Sequence, residues 1–101
     1  MSAQLTVVAH LVAKPGKAEE ARAFLLSLVG PSRSEPGCVD YHLHQDEANP
    51  AEFTFYENWA NRAEFEKHLE KPYLKAVSLK APELFASDPH IRLMTMVSAR
   101  P

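Results

Sequence analysis

Residues 4–13 (QLTVVAHLVA) limit the fold more than any other segment, because both faces of an extended chain here are largely apolar. Leu5, Val7, Ala9 and Leu11 alternate onto one face, with Thr6, Val8, His10 and Val12 on the other. Such a strand needs cover on both sides, so it belongs inside a layered structure. Lys14-Pro15-Gly16 ends it, since proline donates no ladder hydrogen bond and glycine permits a tight turn.

The period then changes. Over residues 17–29, Ala18, Ala21, Phe24, Leu25 and Leu28 recur at helical spacing opposite Glu19, Glu20 and Arg22, which predicts an amphipathic helix. Gly30-Pro31 ends the strong pattern, with one further turn through Ser34 compatible, and Glu35-Pro36-Gly37 reads as a turn. Residues 38–45 and 52–59 read as strands joined by the polar loop 46–50. In the second of these, Phe53, Phe55, Glu57 and Trp59 share one face, and Thr54, Tyr56 and Asn58 the other. Asn61 has N-cap character with Glu64 in the capping-box position, and Phe65, His68 and Leu69 form a helical stripe expected to face the sheet. Lys71-Pro72 breaks that helix and opens another, with Tyr73 or Leu74, Val77, Ala81 and Leu84 on its apolar side. Pro82 is expected to kink or restart it. Residues 90–98 form a last strand, with Ile91, Leu93, Thr95 and Val97 on one face.

The order β-α-β-β-α-α-β matches the split βαβ, ferredoxin-like α+β plan: four antiparallel strands with helices on one face. The other sheet face carries Val8, Val12, Tyr56, Met94 and Met96, too much apolar surface for a small monomer, which predicts a homodimer packed sheet against sheet. The length of 101 residues fits a single domain over 1–101.

Composition removes several function classes. Lys and Arg number 11 against 13 Asp and Glu, and the basic residues are interrupted by acids, so neither nucleic acid nor an acidic lipid surface is an expected partner. Cys38 is the single cysteine, which rules out an internal disulfide and a thiolate cluster. The N-terminus lacks the basic and apolar regions of a signal peptide, and the longest apolar stretch, residues 24–29, contains Ser27 and is far too short for a bilayer. The expectation is a soluble cytoplasmic protein.

Three segments carry a resemblance: EPGCVDYHLH (35–44), FTFYENW (53–59) and FEKHLEKPY (65–73). In their order and spacing they resemble the antibiotic-biosynthesis-monooxygenase domain, in its small quinol-monooxygenase-like branch. The resemblance implies a dimeric ferredoxin-like fold, a dimeric α+β barrel, with a cavity between sheet and helices. It further implies oxidation of a small quinol or phenol by molecular oxygen with no flavin, haem or metal. Other members of such a family degrade haem, isomerise a small hydroxyketone signal, or have no established activity. Fold alone does not choose among these. The asparagine of the haem-degrading relatives is missing from the first strand, which counts against haem.

Oxygenation without a cofactor needs a base with a pKa near working pH, an apolar slot for the ring, and exclusion of bulk water. His68 is the candidate base, being on the helix stripe and matching the family's helix histidine; the plain alternative is a core-edge histidine donating to a backbone carbonyl. Trp59 is either a pocket wall stacking on the substrate or part of the core. Phe55 and Phe65 are candidates for the ring slot. Glu57 on the aromatic strand face is costly unless paired, so it orients His68 or, the favoured reading, bonds a neighbouring strand. His42 and His44 are spaced to share a metal, but no third ligand appears at recognisable spacing, and a surface or interface role is favoured. Of the two, His44 fits the family pattern as a secondary substrate contact. Tyr73 falls where the family places an aromatic or histidine over the cavity. Arg92 is a candidate anion holder, with a salt bridge the favoured reading, and Cys38 lacks the basic neighbour a catalytic thiolate needs. An isomerase, or a non-enzymatic dimeric ligand-binding protein of stress-response type, is the alternative to an oxygenase.

Overall fold

The computed structural model describes residues 4–98, so residues 1–3 and 99–101 of the expected domain lie outside the described part. The elements are β1 (Leu5–Val12), α1 (Ala18–Leu26), α2 (Val29–Arg33), β2 (Cys38–Gln45), β3 (Glu52–Trp59), α3 (Arg62–Leu69), α4 (Pro72–Leu84) and β4 (His90–Thr95). The four strands form one antiparallel sheet in the order β2-β3-β1-β4, which is the ferredoxin-like arrangement.

The doubly apolar β1 sits in the interior, paired to β3 and β4. Val7, Ala9, Leu11, Tyr41, Phe53, Phe55 and Trp59 point from the sheet into a core closed by Ala21, Leu25, Leu28, Phe65 and Leu84 of the helices. Each such Leu or Phe, fully buried, contributes roughly 1.5–3 kcal/mol. The turn after β1 needs Gly16, whose φ of 79° lies in the left-handed region.

The expected helix over 17–29 ends at Leu26, and the further turn through Ser34 forms a separate short helix, α2. Ser27 Oγ–H bonds back to the Phe24 carbonyl where α1 ends, offering the backbone an alternative to further helix. Pro31 then lies in the first turn of α2, where a missing N–H costs nothing because no intrahelical partner exists for it. At the other end, α4 runs through Pro82 as one helix, and the expected restart does not occur. β4 stops at Thr95 rather than Ser98, because Thr95 pairs with Leu5, the first residue of β1, and the ladder has no partner beyond it. On α3 the expected stripe is uneven: Phe65 and His68 are buried, whereas Leu69, in the last position, is 41% exposed.

The sheet face away from the helices holds a polar knot beside apolar side chains. Asn58 is fully buried there, accepting from Gln4 Nε2 and Thr6 Oγ1 and donating through Nδ2 to Asp40 and the Tyr56 hydroxyl. Val8, Val12 and Met94 are half-buried on that face and Tyr56 is exposed, while Met96, also half-buried, lies past the end of β4.

Candidate active site

The site forms where β3, β2 and β1 meet the helices. Asn61 Oδ1 accepts the Glu64 N–H at 3.0 Å and starts α3, which sets Phe65 and His68 on the sheet-facing side. The α2–β2 turn is held tightly against α3: a Cβ added at Gly37 would lie 2.3 Å from Glu64 Cβ, so only glycine allows this approach. The Ala60 N–H also donates to the Gly37 carbonyl at 2.8 Å. That contact carries Glu35, two residues earlier, to His68, and Glu35 Oε2 accepts from His68 Nδ1 at 2.8 Å with both side chains buried. The Tyr73 hydroxyl at the start of α4 donates to the same oxygen.

This pairing assigns the histidine tautomer. A carboxylate only accepts, so Nδ1 carries the hydrogen and Nε2 keeps its lone pair. Burial lowers the proton affinity of His68 below the ordinary histidine value, against the opposing hydrogen bond and charge of Glu35. The imidazole is therefore a neutral base. Its ring is clamped by aromatics, with centroids 4.4 Å from Trp59, 5.5 Å from Tyr41 and 6.2 Å from Phe65.

His68 lines a cavity of about 70 Å³ between sheet and helices. Val7, Ala9, Leu11, Tyr41, Phe55 and Glu57 supply the sheet side, and Leu25, Leu28, Phe65, Leu69, Leu74 and Val77 the helical side. Pro89 and Ile91 complete the rim, where Leu69 and Ile91 are 41% and 50% exposed. An engineered cavity of about 150 Å³ holds benzene, and this one, at about 70 Å³, is less than half that size. Glu57 is the one carboxyl among the described wall residues. One of its oxygens, Oε1, accepts the Trp59 indole N–H at 2.9 Å. Burial pushes its pKa up to about 7, with the Trp59 hydrogen bond pulling down and Glu35 pushing up. Tyr41, its cross-strand partner, is likewise held protonated by burial and then by the Glu57 charge.

Of the residues singled out from sequence, His68, Glu57, Phe55 and Phe65 meet at this cavity. Trp59 does not line it; the indole is fully buried behind His68, where it holds Glu57 and the imidazole ring. Glu57 bonds Trp59 two residues along its own strand, rather than a neighbouring strand as favoured or His68 as the alternative. Tyr73 is also off the wall and contacts Glu35 instead. His44 is exposed on the opposite sheet face, because Tyr41 and Leu43 take the inward positions of β2. His42 shares that outward face and contacts Arg33 at 3.1 Å, and no group of three or more His, Cys, Asp or Glu placed for a metal occurs among the described residues. Arg92 is exposed beside Val8, away from the cavity, and makes no ion pair among the described residues. The Cys38 thiol is pushed up to about 11 by burial and by Glu35, Glu57 and Asp40. Sequence reasoning missed Glu35 and Tyr41. Glu35 had no signal of its own beyond standing in a Glu-Pro-Gly turn, whereas the alternation of Tyr41 with His42 already placed the tyrosine inward.

A four-stranded antiparallel sheet with a desolvated histidine at a mostly apolar sheet–helix cavity defines an α+β ferredoxin-like domain. Residues 4–78 match the family model described as antibiotic biosynthesis monooxygenase, and the chain belongs to that family. It is 37% identical over 89 residues to protein sll1783 of Synechocystis, a match covering 88% of this chain and 60% of that protein, so the chain spans less than two thirds of this relative. The structure of PA3566 from Pseudomonas aeruginosa superposes with a TM-score of 0.91 at 34% identity, over 97% of this chain and 98% of that one. A solved structure named as an antibiotic biosynthesis monooxygenase gives a TM-score of 0.85 at 28% identity, covering 93% of this chain and 99% of its own. No helix among the described residues is long and apolar enough to cross a membrane.

Proposed function

We propose that this chain is a cofactor-independent monooxygenase that oxidises a small quinol or phenol with molecular oxygen, working as a homodimer. The observation that carries the reading is His68: a buried imidazole on the wall of an apolar cavity, with Nδ1 anchored to Glu35 and Nε2 left as a base. Nε2 takes the proton of a substrate hydroxyl. The resulting anion passes one electron to oxygen, the radical pair joins at a ring carbon, and loss of water leaves a hydroxylated quinone. For hydroquinone, one molecule of oxygen is consumed per ring: one of its atoms becomes the new hydroxyl of hydroxybenzoquinone and the other leaves as water. Phe55 and Phe65 hold the ring, Trp59 positions the imidazole from behind, and Glu35 with Tyr73 keeps its tautomer. Apolar walls favour neutral ground states and keep bulk water from the intermediate. The half-buried Val8, Val12 and Met94 with exposed Tyr56 supply the surface on which a second copy packs.

The test is oxygen uptake with a panel of hydroquinones. Uptake should fall at least a hundredfold in His68→Ala while circular dichroism shows the fold intact. Equal rates for native and heat-killed protein would refute the proposal. Turnover without oxygen would point to isomerisation in its place.

A further inference from the structure

Glu57 is the polar wall residue that this mechanism leaves unused. Its Oε1 is held by the single tryptophan of the chain, while no cation reaches ion-pair distance among the described residues. The titratable and charged groups around it all oppose its ionisation or are themselves kept neutral. Tyr41 faces it from β2 as direct cross-strand partner, with Cys38 further along that strand. Glu35 adds a negative charge from the α2–β2 turn. From α3 comes His68, whose proton affinity burial lowers. On β1 its partner is Val7, which in turn pairs with Leu93 of β4, so no charge approaches from that side. The cavity wall carries no Lys or Arg, which leaves an anionic ligand uncompensated.

We propose that Glu57 stands on the cavity wall as a neutral carboxylic acid and donates its O–H to a ligand oxygen, so that the site selects neutral molecules with a hydroxyl for His68 and a second oxygen for Glu57, and rejects carboxylates of the same shape. This rests on the quinol reading above and narrows its substrate class. Ionisation of Glu57 turns the donor into a repelling acceptor, so ligand binding weakens as pH rises through its titration. The sign distinguishes it from His68, whose protonation weakens binding as pH falls.

Because Trp59 Nε1–H donates straight to Glu57, the lone indole N–H resonance reports this proton without any ligand. It should titrate with a midpoint near 7 in the wild type and in His68→Asn, and stay flat in Glu57→Gln. Saturating hydroquinone should raise the wild-type midpoint, and hydroquinone affinity should fall about tenfold between about pH 6 and pH 8.5 in the wild type but not in Glu57→Gln. para-Hydroxybenzoate should bind at least tenfold more weakly than hydroquinone at about pH 6. A flat wild-type resonance overturns the proposal, as does a titration that survives Glu57→Gln and disappears in His68→Asn or His68→Gln. A midpoint that hydroquinone does not move overturns it too, whether or not the compound binds. If the midpoint moves as stated but His68→Asn leaves oxygen uptake unchanged, the oxygenase reading falls and the role of Glu57 stands.

Discussion

Replacing Glu57 by Gln should stabilise the protein at alkaline pH and leave it nearly unchanged in mild acid. The side chains are isosteric, and the Gln carbonyl still accepts the Trp59 N–H, so packing and the hydrogen bond at 2.9 Å persist. What changes is the charge. In the folded protein the carboxyl titrates near 7 rather than at the ordinary 4.5, because burial disfavours its anion. Between those two values the folded state binds more protons than the unfolded one, so stability falls as pH rises through this window. The displacement of about 2.5 pH units corresponds to roughly 3 kcal/mol at pH 8 or above, at 1.36 kcal/mol per unit. Glu57→Gln removes that penalty. Urea unfolding at fixed protomer concentration, which matters if the folded state is a dimer, should put the variant's midpoint roughly 1–2 M above wild type near pH 8.5 and within about 0.3 M near pH 4.5, given a slope of about 1.5–2 kcal/mol/M. A difference that is the same at both pH values would refute the reasoning, since a pure packing effect does not titrate.

Glu35→Ala strands the buried His68 Nδ1–H and should cost about 1–3 kcal/mol in urea unfolding, with turnover reduced at least tenfold. Glu35→Gln keeps an acceptor but removes the charge that holds the His68 proton affinity up, so the acidic limb of the rate profile should move to lower pH; an unmoved limb would show that Glu35 is structural only. Gly37→Ala drives a methyl to 2.3 Å from Glu64 Cβ, with an expected loss of roughly 1–3 kcal/mol and a fall in oxygen uptake as α3 is pushed outward, both of which an unchanged unfolding midpoint would contradict.

The elements were legible where local chemistry decides them. β2 and β3 follow from alternating runs bounded by Pro-Gly and a polar loop, and α3 from Asn61, whose side chain does cap Glu64. The α1–α2 break was not, because it depends on a serine bonding back to its own helix and on a proline sitting harmlessly in a new first turn. The site divides in the same way. Strand parity alone put Phe55, Glu57 and Trp59 on the inward face, and all three are buried. Parity also sent His44 outward, and the resemblance that made it a substrate contact ran against that local signal. Whether Trp59 is wall or backing depends on where α3 sets His68, which no spacing within β3 encodes. Glu35 lies 33 residues before its partner, in a turn whose composition says only that the chain reverses there. Contacts of this kind come from tertiary packing, through one glycine that lets two segments touch.

That packing has a consequence for where the proton of the site resides. In water an imidazole holds a proton more tightly than a carboxyl, by about two pH units. Desolvation acts on both groups here and in opposite directions, lowering His68 below 6.5 and raising Glu57 to about 7. The order inverts: below about pH 7 Glu57 holds its proton, while burial disfavours one on His68. An arrangement that in water would be an imidazolium–carboxylate pair is, inside this cavity, an uncharged base and an uncharged acid. Neither repels an apolar ring, and each offers the hydrogen-bonding role the other lacks. Glu35, which accepts from His68 and Tyr73, stands off the cavity wall. A single physical cause, removal of water by the packing of α3 and α4 over the sheet, thus underlies the proposed base, the proposed donor and the apolar slot together, and any change that lets water in should restore the aqueous order and remove all three.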